Sequence, residues 1–210
     1  VVTLIRETAR ENAIPLESLC GIGVGSPGTV SVREGKVLYS NNLSGRDVPI
    51  QALLERELGL PVLIDNDANC AALGEQFAGA GRRAHSLVLL TIGTGVGSGV
   101  VLEDKLFHGA NFSAPELGHV SLLQEGRGCT CGRRGCLEAY ASFTALIRDA
   151  EETAAAQPDS KLALFLKRGG KLDGKKIFHL AELGDRMTQE LVNKFLYYIG
   201  CGVANAVNIF

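Results

Sequence analysis

The sequence predicts a mixed α/β fold. Short apolar runs bounded by glycine or proline, as in buried strands, alternate with segments whose apolar residues recur at helical spacing. Hydrophobic residues make up 46% of the 210 residues and charged residues 21%, so the chain can bury a substantial core. The 26 glycines indicate many tight turns between successive elements.

The predicted elements follow from these patterns. Helices are expected at residues 1–13, 51–58, 68–78, 138–156, 162–167, 178–183 and 187–199. Strands are expected at residues 21–24, 29–32, 37–39, 62–64, 87–92 and 100–102. The second and third strands form a hairpin that turns at Glu34 and Gly35, and the polar residues 40–47 are expected to form a loop.

Net charge and hydropathy argue against some classes of function. The net charge of −2 gives no electrostatic reason to expect binding to nucleic acid or to an anionic membrane. The longest apolar runs are far too short to cross a bilayer. We therefore expect a cytoplasmic protein.

One histidine and three cysteines stand close together in the sequence. His119, Cys129, Cys131 and Cys136 follow the spacing H-x9-C-x-C-x4-C. Thiolates and an imidazole are the usual ligands of a closed tetrahedral zinc site, and a disulfide cluster or separate buried thiols are the alternative. A bound metal would hold the two flanking glutamates, at positions 116 and 138, near one point.

Two further segments carry groups suited to ligand binding. Asp65, Asn66 and Asp67 follow a predicted buried strand, where α/β folds place ligand chemistry, although such residues also cap helices. The glycine-rich residues 93–99 are predicted to form a turn whose backbone N–H groups bind phosphate. A flexible hairpin is the alternative for this second segment.

These segments together resemble a known family. In chain order they read GSPG, NNL, IDNDANCAALGE, TIGTGVGSG, APELGHV and GCTCGRRGCLEAYAS, which is similar to the ROK family of sugar kinases and sugar-responsive repressors. The resemblance implies an actin-like, ribonuclease-H-like ATPase fold with two α/β domains around a cleft. Residues 1–84 would then belong to the smaller N-terminal domain, and residues 85–210 to the larger C-terminal domain with the zinc site.

The resemblance also implies roles for single residues. Asp67 matches the general base that takes a proton from the sugar hydroxyl. The sugar-binding positions match Asn42, Asn66, Glu116, His119 and Glu138. The second phosphate loop matches Gly93, Thr94 and Gly95. A tryptophan usual in the family's sugar loop is absent, with Arg46 or Asp47 in its place.

The resemblance implies ATP-dependent phosphorylation of a free hexose, with glucose at its 6-hydroxyl preferred, using ATP, Mg²⁺ and a structural Zn²⁺. An N-acetylhexosamine kinase and a sugar-responsive repressor are the alternatives, and Asp67 with the intact 93–95 turn favours a kinase. A homodimer is expected, without a nucleic-acid partner unless a DNA-binding segment precedes Val1. The first phosphate loop and the adenosine site have no counterpart here, so we expect a section of a longer protein.

Overall fold

The computed structural model describes residues 1–40, 45–113 and 115–210. These residues form two compact units: unit 1 comprises Val1–Leu89 and Gly99–Pro115, and unit 2 comprises Leu90–Ser98 and Glu116–Phe210. The predicted domain division after residue 84 stays a prediction. None of the helices in the described ranges combines the length and apolar character needed to span a membrane.

The described residues up to Ala78, all in unit 1, form two small sheets and three α-helices. Helix α1 (Val2–Glu11) comes first, and four strands follow it: β1 (Ile22–Ser26), β2 (Thr29–Ser31), β3 (Lys36–Ser40) and β4 (Gly45–Val48). Helix α2 (Ile50–Leu58), strand β5 (Val62–Asn66) and helix α3 (Asp67–Ala78) come next. β1 and β5 pair in parallel, while β2, β3 and β4 form an antiparallel sheet in that order. The predicted hairpin of β2 and β3 is therefore confirmed.

Strand β4 lies where the sequence predicts a loop. Its residues pair antiparallel with β3, with Val37 opposite Val48 and Tyr39 opposite Arg46. The guanidinium of Arg46 lies 5.2 Å from the centroid of the Tyr39 ring. The strand is thus held by pairing and by a cation–π contact, neither of which produces an apolar pattern in the sequence.

The glycine-rich stretch forms a shorter loop than predicted. Strands β6 (Leu87–Ile92), β7 (Val96–Leu102) and β8 (Lys105–Leu106) form one sheet in that order, so only residues 93–95 remain as a turn. A Cβ atom on Gly99 would lie 2.6 Å from the carbonyl oxygen of Ala68 and from Cβ of Ala72. This glycine therefore serves close packing of β7 against α3 and not loop flexibility.

Unit 2 is mainly helical. Its helices are α4 (Glu138–Ala141), α5 (Phe143–Ala156), α6 (Lys161–Lys167), α7 (Gly174–Glu182) and α8 (Arg186–Ile209). The predicted single helix over residues 138–156 is wrong at Ser142, which has extended backbone and accepts a hydrogen bond from the Ala145 N–H to cap α5. The main core brings together Leu146, Leu162, Ile177 and Phe195.

Candidate functional site

The end of β5 and the start of α3 carry the predicted catalytic segment. Asn66 is the N-cap of α3, and its Oδ1 accepts hydrogen bonds from the Ala68 N–H at 2.9 Å and the Asn69 N–H at 3.2 Å. Its Nδ2 donates to the carbonyl oxygen of Gly28 at 3.0 Å. In this structure Asn66 therefore caps helix α3, which is the alternative role that the sequence left open. These hydrogen bonds hold its side chain in one orientation.

Asp67 is the first residue of α3, and its side chain is exposed. Its Oδ1 lies 2.9 Å from the N–H of Ala68, at the helix end where the macrodipole favours negative charge. Burial raises the pKa of the nearby Cys70 thiol, and the charges of Asp65 and Asp67 raise it further. An accessible carboxylate in this place can accept a proton from a bound ligand.

A histidine that the sequence did not single out joins this segment. His108 Nε2 lies 2.8 Å from Oδ2 of Asp65. The two residues are 43 positions apart, so no spacing rule could pair them. Among the predicted sugar-binding positions, Asn42 lies outside the described residues.

In unit 2 the predicted metal ligands come together. The donor atoms of His119, Cys129, Cys131 and Cys136 all lie within 4.8 Å of one another. His119 Nδ1 is 3.6 Å from the Cys129 sulfur, and the sulfurs of Cys131 and Cys136 are 3.7 Å apart. All six cysteines of the chain are free thiols, and a disulfide would need sulfurs about 2.05 Å apart. The disulfide alternative is therefore wrong.

The spacing of these donors fits a zinc ion. Tetrahedral Zn–S bonds of about 2.3 Å and Zn–N bonds of about 2.05 Å place two sulfurs about 3.8 Å apart and a sulfur and a nitrogen about 3.6 Å apart. Both values agree with the separation of His119 Nδ1 from the Cys129 sulfur and with that of the Cys131 and Cys136 sulfurs. Although desolvation opposes ionisation, hydrogen bonds from Arg133 and the neighbouring cysteines lower the pKa of Cys131 to about 7. The donor set is consistent with zinc.

The cysteine loop, residues 121–136, has a backbone that is shaped by its glycines. The Cys129 N–H donates to the carbonyl oxygen of Arg133 at 2.8 Å, and the Gly132 N–H donates to that of Cys129 at 3.0 Å. Gly132 and Gly135 have φ of 86° and 76°, a region that side chains rarely adopt. These turns bring cysteines that are separated in sequence to one side of the loop.

The histidine of this cluster presents its two nitrogens to different neighbours. Nδ1 faces Cys129, whereas Nε2 lies 3.9 Å from Oε2 of Glu116. Glu116 immediately precedes the 3₁₀ turn Leu117–His119, and its side chain is half exposed. Ligation through Nδ1 would leave Nε2 directed towards Glu116.

Glu138 connects the cysteine loop with the glycine turn. Its Oε2 accepts a hydrogen bond from the Val96 N–H at 3.1 Å, and its Oε1 accepts one from the Thr130 hydroxyl at 2.9 Å. A Cβ atom on Gly95 would collide with Oε2 and lie 3.2 Å from the carboxylate carbon. Glycine at position 95 thus makes room for this carboxylate.

The glycine turn is anchored to the start of α5. The Phe143 N–H donates to the carbonyl oxygen of Gly93 at 2.9 Å, and the Thr144 hydroxyl donates to that of Thr94 at 2.7 Å. Within the turn, the Gly93 N–H donates to the Gly95 carbonyl oxygen at 2.9 Å. Thr94 is exposed at the tip, where its hydroxyl and backbone can meet a ligand.

Comparison with protein families indicates the same family as the sequence motifs. The profile of the ROK family matches residues 2–210. The chain belongs to the ROK family. ROK relatives of known structure include sugar kinases with an actin-like fold, so the predicted actin-like α/β fold is confirmed.

ROK proteins similar to this chain include kinases and repressors. A glucokinase from Halalkalibacterium halodurans is 42% identical over 90% of this chain and 58% of its own length. A xylose repressor from Caldicellulosiruptor bescii is 32% identical over 99% of this chain and 52% of its own length. A ROK glucokinase from Streptomyces griseus, solved with glucose and AMPPNP, is 32% identical, covering 100% of this chain and 68% of its own, with a TM-score of 0.84.

The chain thus spans little more than half the length of these two curated relatives. The roles assigned to single residues remain predictions.

Proposed function

We propose that this ROK protein transfers the γ-phosphoryl group of ATP to the 6-hydroxyl of free glucose. The observation that carries the proposal is the position of Asp67, an exposed carboxylate at the carboxyl end of β5 and the N-terminus of α3. The similarity to a glucokinase at 42% identity supports glucose as the acceptor.

In the proposed reaction, Asp67 accepts the proton of the sugar hydroxyl while that oxygen forms a bond to the γ-phosphorus and the bond to the ADP oxygen breaks. The other sugar hydroxyls bind Asn42, Asn66, Glu116, His119 and Glu138. A neutral polyol is well recognised by such carboxylate and amide partners because each hydroxyl both donates and accepts.

The glycine turn is the proposed phosphate contact. The turn at Gly93, Thr94 and Gly95 is suited to an anion through the backbone N–H groups of Thr94 and Gly95, since the Gly93 N–H donates within the turn. The anchoring of the turn to α5 holds these groups in place. When bound with ATP, Mg²⁺ neutralises the charge that the phosphoryl group carries.

The proposed metal is zinc, and its role is structural. His119, Cys129, Cys131 and Cys136 would complete a tetrahedral shell without an open position for water, which argues against hydrolytic chemistry. The ion would fix the ring of His119 and the loop on which Thr130 contacts Glu138.

The test is a substrate survey on the intact protein. Initial rates with ATP and Mg²⁺ are measured for glucose, N-acetylglucosamine, N-acetylmannosamine and xylose, and calorimetry measures the affinity for each sugar. Glucose is expected to give the highest kcat/KM. A higher kcat/KM for an N-acetylhexosamine would reassign the substrate, and absence of transfer to every sugar would refute the kinase assignment.

A sugar-responsive repressor is the second candidate. The xylose repressor from C. bescii matches nearly the whole of this chain, which supports a shared sugar-binding region. A repressor would bind a sugar with no phosphoryl transfer, and the sugar would change the affinity of the intact protein for its operator DNA. Measuring both properties on one preparation separates the two candidates.

A further inference from the structure

The pair formed by Asp65 and His108 carries an inference about the proposed reaction. Nε2 of His108 lies 2.8 Å from Oδ2 of Asp65, and their side chains are 25% and 15% exposed. A carboxylate only accepts hydrogen bonds, so Nε2 of His108 carries the proton. A charge-assisted hydrogen bond that is largely shielded from water is stronger than a surface pair.

The other oxygen of Asp65 is occupied as well. Oδ1 accepts from the backbone N–H of Asn66 at 2.7 Å and from Nδ2 of Asn69 at 2.9 Å. Asn69 is only 4% exposed, so this contact reaches into the first turn of α3. Three donors thus hold Asp65, which lies two residues before the proposed base.

His108 lies in a loop that other contacts also shape. Its ring centroid is 6.2 Å from that of Phe112, and the guanidinium of Arg33 lies 5.9 Å over the Phe112 ring. Phe112 itself has a φ of 57°, which is unusual for a bulky side chain. Through its hydrogen bond to Asp65, His108 joins this loop to the end of β5.

We propose that His108 is a positioning residue for the phosphoryl transfer: its hydrogen bond to Asp65 holds the β5–α3 junction in the geometry that lets Asp67 act as base. This inference rests on the proposed function. Without the bond, Asp65 and the backbone around Asn66 can shift, and Asp67 moves with them. Displacing a reacting group by 1 Å can cost on the order of 10²-fold in rate.

The chain offers a matched control for this pair. His85 Nδ1 lies 2.7 Å from Oδ2 of Asp104, with side chains that are 84% and 61% exposed. This histidine–carboxylate pair is also in unit 1 but lies on the surface, where Asp104 accepts a further hydrogen bond from Gln76 in the last turn of α3. Its removal is expected to leave the kinetics unchanged, since exposed pairs contribute little.

The experiment compares His108→Ala, His108→Gln and His85→Ala in the intact protein. For each variant we measure kcat and KM for glucose at saturating ATP, sugar affinity by calorimetry, and the midpoint of thermal unfolding. We expect His108→Ala to lower kcat on the order of tenfold or more while KM and sugar affinity stay within about threefold. His108→Gln, which places an N–H near the former Nε2, should recover most of kcat.

Equal kinetics for the two alanine variants, with an active wild type, would overturn this inference and leave the proposed function intact. An inactive wild type overturns both. If His108→Ala does not fold, Asp65→Asn takes its place, because it keeps the shape and weakens the bond. Unchanged kcat in that variant would equally refute the positioning role, and a fall in kcat with preserved sugar affinity would support it.

Discussion

Because Gly95 lies against Glu138, we expect Gly95→Ala to lower the stability of the protein, whereas the same substitution at a neighbouring glycine should not. Replacing Gly95 by alanine puts a methyl group where Oε2 of Glu138 now lies. The clash is with the end of a flexible side chain, so the carboxylate can move away. The energetic effect then comes from the hydrogen bonds that this movement breaks.

The size of the stability loss follows from the hydrogen bond that the displaced carboxylate no longer accepts. Oε2 accepts from the Val96 N–H at 3.1 Å, and a shift of about 0.8 Å lengthens this contact beyond hydrogen-bond range. Val96 is 3% exposed, so its N–H would be buried without an acceptor, at a cost of about 1–3 kcal/mol. The reduced entropy of the unfolded chain returns about 0.4–1 kcal/mol. We expect a net loss of about 1–2 kcal/mol, or roughly 2–8 °C in midpoint.

Gly93→Ala is the control for this prediction. A Cβ atom at this position would meet nothing within 4 Å, so the free energy of unfolding should change by less than about 1 kcal/mol. Thermal and urea unfolding of both variants, measured without ligand, provide the comparison.

A double-mutant cycle identifies the cause. In a Glu138→Ala background the carboxylate is already absent, so adding Gly95→Ala should cost nothing further. An equal loss in both backgrounds would show that strain in the backbone of the turn, and not the carboxylate, is responsible, and the reasoning from Glu138 would fail.

Three further substitutions test other parts of the site. Asp67→Asn should keep sugar affinity within a few-fold and lower kcat on the order of 10² to 10⁴-fold, and turnover near that of the wild type would exclude Asp67 as the base. Cys131→Ser should lower both zinc content and thermal midpoint, whereas Cys20→Ser, another exposed cysteine, should change neither; full zinc content in Cys131→Ser would refute its ligation. Thr130→Val should weaken glucose binding by about 2- to 10-fold because Glu138 loses a donor, and Thr130→Ser should restore it; equal affinity in calorimetry would contradict this role.

The sequence predicted those parts of the fold that local patterns encode. The parallel strands β1 and β5 and helix α2, which ends at Gly59 with a φ of 68°, follow from apolar periodicity and turn residues. The metal donors were predictable because their spacing is short and their chemistry distinctive. In each case the pattern that predicts the feature lies within a short stretch of the sequence.

The features that the sequence did not reveal depend on long-range contacts. Strand β4 is polar and exists through its pairing with β3, and the glycine at 99 packs against α3 from a distant part of the chain. The bond between Asp65 and His108 joins residues that carry no shared pattern. Periodicity cannot report a partner that the chain reaches only after folding.

In the cysteine loop, a bound metal would provide the stabilisation that a hydrophobic core provides elsewhere. Most of residues 121–134 are exposed, and their regular pairing is limited to two isolated bridges, Ser121 with Cys136 and Gly128 with Arg134. So little buried apolar surface cannot by itself offset the entropy of ordering the loop. Four ligands on one ion would supply that stabilisation directly. Because Thr130 stands between two of the cysteines and donates to Glu138, an ordered loop also orients the carboxylate beside the glycine turn.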